Sequence, residues 1–261
     1  MAASSPLRIR GESDLRKPTL VVAYAGWGDG GEAATTTVKY LLGQLAAQPL
    51  ATLDTEEFLD FTVVRPRIGP GSGERRITWP DHEFFSAYLP ELPNDLVLGL
   101  GIEPHLRWKT YARLIVELAR RLEVGTAILV GAYVADVIYS QPVLVHGSSN
   151  DPELMEQLGF EPSGYEGPTG ISGVLAHALG GIGVRTLSLW AALPHYIAVT
   201  PNPRGCLALL QRIERVTGIE VEKSGMHESV RHFDESVADL VSNDPELSAY
   251  VRELKRRAFS G

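Results

Sequence analysis

Leu20-Val21-Val22-Ala23-Tyr24-Ala25-Gly26-Trp27-Gly28-Asp29-Gly30-Gly31-Glu32 joins an apolar run to a cluster of four glycines, and a helical pattern over 32–47 follows at once. Strand, tight glycine turn and helix N-terminus in that order form the opening unit of an α/β sheet. Glycine suits a turn where the backbone takes positive φ or where a neighbour comes close. The first helical turn leaves amide N–H groups free to meet an anion. The spacing departs from the nucleotide fingerprints. It lacks the Lys-Ser/Thr of a phosphate loop, and Trp27 and Asp29 fall where a dinucleotide loop wants small, uncharged residues. An aspartate beside a phosphate repels it, so nucleotide binding is not expected here.

Further along, strand-like runs at 61–67, 95–101, 126–132, 142–146 and 184–192 alternate with helical patterns. The segment 107–122 places Trp108, Tyr111, Ile115, Leu118 and Leu122 at three- and four-residue steps on one helix face. Thr126-Ala127-Ile128-Leu129-Val130-Gly131-Ala132 shows no polar alternation, as a central strand covered on both faces reads. This β-α-β rhythm predicts an α/β fold, a three-layer α/β/α core with a largely parallel mixed sheet over residues 19–200. Residues 1–18 are polar and are expected to form a flexible N-terminal segment. The stretch 61–79 reads as a hairpin inserted at one side, its two pieces flanking Gly69-Pro70-Gly71-Ser72-Gly73. Asp151-Pro152-Glu153 and Asp244-Pro245-Glu246 each read as a capping aspartate followed by proline at the first helical position. From about Pro201 the pattern is all helix, which predicts a helical C-terminal extension over 201–261 packed on the core.

The chain of 261 residues is 44% hydrophobic and 21% charged, enough to bury a sizeable core in one large or two modest domains. No apolar run is long enough to span a membrane and the first residues lack a signal-peptide pattern, so a cytoplasmic protein with no membrane partner is expected. Cys206 is the one cysteine, which fits a reducing compartment and excludes a cysteine-based metal cluster. The net charge of −8 argues against nucleic acid as a partner. Seven histidines include no helical i, i+4 pair around a glutamate, so no metal is expected, and no cofactor motif is complete.

Ligands of open α/β sheets bind beyond the carboxyl ends of the strands. Those ends gather Trp27, Gly28 and Asp29 after the first run, Glu103 and Arg107 after the run at 95–101, Asp136 after 126–132, and His195 after 184–192. Glu166 lies in a second glycine-rich helix entry, Tyr165-Glu166-Gly167-Pro168-Thr169-Gly170, where Thr169 is a candidate cap. A carboxylate with a histidine suits acid–base chemistry, and Arg65 or Arg107 would hold an anion. Tryptophan, proline and glycine at a rim also serve simply to turn corners, so both uses stay open.

Several blocks carry a family resemblance. They are Ala25-Gly26-Trp27-Gly28-Asp29-Gly30-Gly31, the arginines and Trp-Pro at Arg65, Arg67, Arg76, Trp79 and Pro80, and Gly101-x-Glu103-Pro104-x-x-Arg107-Trp108. Gly131-Ala132-x-x-Ala135-Asp136, the block at 165–170, and Ser188-Leu189-Trp190-Ala191-Ala192-x-Pro194-His195-Tyr196 complete the set. In order and spacing they resemble the bacterial branch of the proteasome assembly chaperone 2-like family over residues 20–254. The resemblance implies a phosphorylase/hydrolase-like core, a helical extension and homo-oligomers, with trimers expected first. It transfers no catalytic residue. The resemblance points to eukaryotic relatives that help to build the proteasome core particle, and in these and in archaeal relatives a C-terminal hydrophobic-Tyr-X tail docks into the ring. This chain ends Arg257-Ala258-Phe259-Ser260-Gly261, without that tyrosine, so tail-mediated docking on proteasome subunits is not expected. Three functions remain open: a non-catalytic assembly or binding protein, a small-molecule hydrolase or phosphorylase acting at the rim, and a self-assembling structural subunit.

Overall fold

Strands that lack polar alternation must be covered on both faces, and the central strands of this chain are. The computed structural model describes residues 5–10, 14–69, 75–161 and 165–258. In chain order these form β1 (Leu7–Ile9), β2 (Thr19–Ala25), α1 (Ala33–Gln44), β3 (Gln48–Leu53), β4 (Arg67–Gly69), β5 (Arg76–Thr78) and β6 (His82–Ala87). There follow β7 (Leu96–Ile102), α2 (Trp108–Arg121), β8 (Thr126–Ala135), β9 (Val145–Ser149), α3 (Pro152–Leu158), α4 (Ile171–Gly180), β10 (Arg185–Pro194), α5 (Pro203–Thr217), α6 (Ser224–Asn243) and α7 (Pro245–Ala258).

Eight strands make one sheet in the order β1-β3-β6-β7-β2-β8-β10-β9. The central four, β7, β2, β8 and β10, run parallel. The outer pairs are antiparallel, which turns β3 back into the direction of the central four, so five of the eight strands point one way. The largely parallel mixed sheet is therefore present. Along β2, Val21 and Ala23 face α1 and α5, while Leu20, Val22 and Tyr24 face α2 and α4, and all five are buried. Covering both faces produces the three α/β/α layers and explains the unbroken apolar run.

The edges differ from the sequence reading. The run at 61–67 is mostly turn: Asp60 accepts the backbone N–H and hydroxyl of Thr62, and its carbonyl accepts N–H from Val63 and Val64. Aspartate offers the backbone this local alternative to a strand. Only Arg67 onward joins the two-stranded β4–β5 ribbon, and the expected loop at Pro70–Gly73 lies outside the described residues. The run at 142–146 starts late, at Val145 opposite Ala191, because Pro142 has no N–H for a ladder. β1, β3 and β6 were not read as strands. They are short outer strands of mixed polarity, and β1 lies within the segment expected to be flexible.

Both aspartate–proline caps hold. Asp151 accepts from Glu153 and Leu154, and Asp244 from Glu246 and Leu247. Beyond residue 201, α5 packs in the same layer as α1. The α6–α7 hairpin has its own cluster, in which Phe233, Val237, Val241 and Val251 meet Ile197, Tyr139 and Tyr196 from the loops after β8 and β10. Among the described residues no helix is long and apolar enough to cross a membrane.

Candidate functional site at the carboxyl ends of the strands

The strand order β7-β2-β8-β10 sets Glu103, Trp27, Asp136 and His195 in that sequence along one margin of the sheet. β8 and β10 outrun β2 and stay paired as far as Ala135 and Pro194. The loop after β2 lies against β8, where the carbonyl of Gly28 accepts from the N–H of Ala132 at 2.8 Å. Gly26, at φ 136°, lets the chain turn there.

The residues nearest β2 and β7 hold helices. Asp29 is buried, and its carboxylate accepts from the N–H groups of Ala34 and Thr35 at 2.8 and 3.1 Å and from the Thr35 hydroxyl at 2.5 Å. Burial pushes its carboxyl above the usual range, and the bonds from Thr35 and Ala34 pull it back. The amides at the start of α1 thus meet an anion, but it is the chain's own. Glu103 does the same for α4, its Oε1 accepting from the N–H of Ile171 at 2.8 Å. Gly170, not Thr169, stands at the cap position, and a Cβ there would come within 2.8 Å of Glu103 and 3.3 Å of the Trp27 ring. Gly28 leaves room for Trp190, whose ring also covers Gly131. Arg107 takes a left-handed backbone before α2 and pairs with Glu57 at 2.7 Å in the open. Glu166 stands exposed in its loop.

On the β8–β10 side the expected carboxylate and histidine do meet. His195 Nε2 lies 2.9 Å from Asp136 Oδ1. A third member, Tyr250 of α7, donates to Asp136 at 2.9 Å and lies 2.9 Å from His195 Nε2. Carboxylate, imidazole and phenol in mutual contact can exchange a proton, but the phenol comes from the hairpin and fastens it to the rim. Sequence reasoning missed Tyr250 because its partner lies 114 positions away and no local pattern links them. Beside this contact a cleft of about 460 Å³ opens between the ends of β8 and β10 and the α6–α7 hairpin. The eight candidate residues therefore divide between a Trp27–Asp29–Glu103 side and an Asp136–His195 side. Among the described residues no three His, Cys, Asp or Glu side chains are placed to hold a metal.

The Trp27 side carries an exposed apolar band. Trp27 is 67% exposed, and Leu106, Tyr165, Ile68, Ile77 and Trp79 also stand out of the surface. Backbone bonds tie the 103–107 loop to the turn at 58–60: His105 and Leu106 donate to the carbonyl of Phe58. From that turn the Phe61 ring packs on Trp79 at 5.1 Å, which carries the band onto the β4–β5 ribbon. Arg65, Arg67, Arg75 and Arg76 are exposed along the ribbon. Sequence reasoning quoted Trp79, Arg65, Arg67 and Arg76 as motif residues but assigned them no shared surface.

A model of the PAC2 family matches residues 23–241. Among solved structures, the chain is similar to a PAC2 family protein from Streptomyces avermitilis, with 38% identity, 90% of this chain and 99% of that one covered, and a TM-score of 0.84. It is similar to a proteasome-assembly chaperone homologue from Mycobacterium tuberculosis, with 34% identity, 89% and 99% coverage, and a TM-score of 0.81. An archaeal proteasome activator from Pyrococcus furiosus shares the fold, with 16% identity, 90% and 97% coverage, and a TM-score of 0.72. No curated protein matches.

Proposed function

We propose, from the premise that this chain belongs to the PAC2 family, that it is a non-catalytic assembly and binding protein of the proteasome-assembly-chaperone kind, working in the cytoplasm as a homo-oligomer. The observation that carries this reading is the exposed band of Trp27, Trp79, Tyr165 and Leu106. Large apolar side chains that stand together at a rim mark a surface made to be covered by protein. The candidate rim carboxylates beside the band, Asp29 and Glu103, are engaged as helix caps, which supports docking over chemistry on that side.

The test is affinity capture from native cells together with light scattering of the purified protein. The expected result is a trimeric mass, with proteasome subunits recovered at fixed stoichiometry. A Trp27→Ser/Trp79→Ser double variant should keep its circular dichroism and lose the capture. A double variant that recovers the same subunits in the same amounts removes the band from the reading. A wild-type protein that recovers no proteasome subunit removes the chaperone role.

A further inference from the structure

The cleft beneath the α6–α7 hairpin has the composition of a ligand site. It lies at the carboxyl ends of β8 and β10, where α/β sheets receive small molecules. At about 460 Å³ it falls in the size range of such sites. Its walls are mainly aliphatic and aromatic, with Val143, Leu144, Leu193, Phe233 and Leu254 among them. An open apolar hollow of this kind favours an apolar occupant over water.

Charge at the mouth selects the occupant further. Arg204 and Arg257 line the cleft, and Asp136 is its one acidic lining residue among the described residues. Asp136 already accepts the Tyr250 hydroxyl. Arg204 bonds Asp234 through Nη1 and the carbonyl of Gln141 through Nη2, at 2.8 and 2.6 Å. Arg257 donates to Glu253 through Nε, and Glu253 is shared with Arg256. Lys255 stands over the ring of Tyr139, another lining residue. Among the described lining residues two cations, Arg204 and Arg257, therefore stand against one acid, Asp136, in a chain whose net charge is −8.

We propose that the cleft between the ends of β8 and β10 and the α6–α7 hairpin binds a small amphipathic carboxylate, its apolar body between Leu193, Phe233 and Leu254 and its carboxylate at Arg257. The Tyr250–Asp136–His195 contact holds the roof in place over it. The proposal needs binding only, without turnover. It does not rest on the assembly reading, because the exposed aromatic band belongs to the β2–β7 side of the rim.

Three probes of one length separate the contributions: octanoate, 1-octanol and octylamine, titrated into the full-length protein and followed by NMR. Octanoate should bind about tenfold more tightly than octanol, the difference a single charge-assisted contact supplies, and octylamine should bind least. Arg257→Gln, at an exposed side chain, should weaken octanoate about fivefold and leave octanol unchanged. Val143→Trp should fill the cleft and abolish binding of both. Should that variant fail to fold, the Arg257→Gln comparison decides alone. Equal affinity for octanoate and octanol, indifference to Arg257→Gln, or absence of binding at about 10 mM octanoate, weaker than the millimolar range that small ligands reach, would each overturn the proposal.

Discussion

His82 is sealed beneath α2, with Nδ1 2.6 Å from the Tyr111 hydroxyl and Nε2 2.6 Å from the carbonyl of Ile102. The Tyr111 hydroxyl in turn meets that of Tyr24 at 2.9 Å. Burial pulls the imidazole pKa down to about 4, against a bond to Ile102 that raises it. An unfolded chain binds this proton near pH 6.5, and the folded chain refuses it until about pH 4. The stability contributed by neutral His82 is therefore complete above pH 6.5 and is lost as the pH falls toward 4, by about 3 kcal/mol. Urea titrations at several pH values should show that slope, and His82→Leu should flatten it. Asp29, whose carboxyl is raised by burial, contributes a slope of opposite sign near the acid end. The same ring explains Gly101, where a Cβ would overlap the imidazole. Gly101→Ala should cost about 2 kcal/mol, the usual penalty of overpacking, measured as a lowered urea midpoint. In the sequence His82 was merely one of seven histidines without metal spacing, because its partners come from three other elements.

Helix starts show how far local chemistry can be read. Asp151 and Asp244 were legible as caps because each bonds amides two and three residues ahead. The glycine turn at 26–31 was legible as a turn, but the role of Asp29 was not, since it reaches five and six residues forward to α1. Asp29→Ala should cost about 2 kcal/mol, the upper end for a lost N-terminal cap, and Asp29→Asn less than half of that because one acceptor remains. Thermal unfolding of the two variants checks both. Glu103 was harder still, as it caps a helix that begins 68 positions later. β2 and β8 were found because burial on both faces leaves an unmistakable composition, whereas β3 and β6 were missed because short outer strands carry no such signature. Tyr250→Phe should loosen the hairpin alone. Hydrogen exchange of α7 should quicken several-fold while the amides of β2 and β8 keep their protection, since one exposed hydrogen bond is worth about 1 kcal/mol.

At the scale of the molecule the rim has two separate halves, the exposed band by β2 and β7 and the roofed cleft by β8 and β10. Distant sites without shared partners behave additively. Val143→Trp should leave the oligomeric mass and partner capture untouched, and Trp27→Ser/Trp79→Ser should leave octanoate titrations unchanged; a cross-effect in either direction would mean that the halves communicate. The architecture was legible in the sequence because layering follows from composition, while the division of the rim was not, because it depends on which helix caps claim which carboxylates. The β4–β5 ribbon carries one more consequence. Among the described residues no third strand pairs with either of its two, and open margins of that kind are a template on which identical chains can stack. The guanidinium groups of residues 65, 67, 75 and 76 make such stacking self-repelling. Polyanions that neutralise them should turn concentrated solutions turbid, with a fibrous precipitate that binds thioflavin.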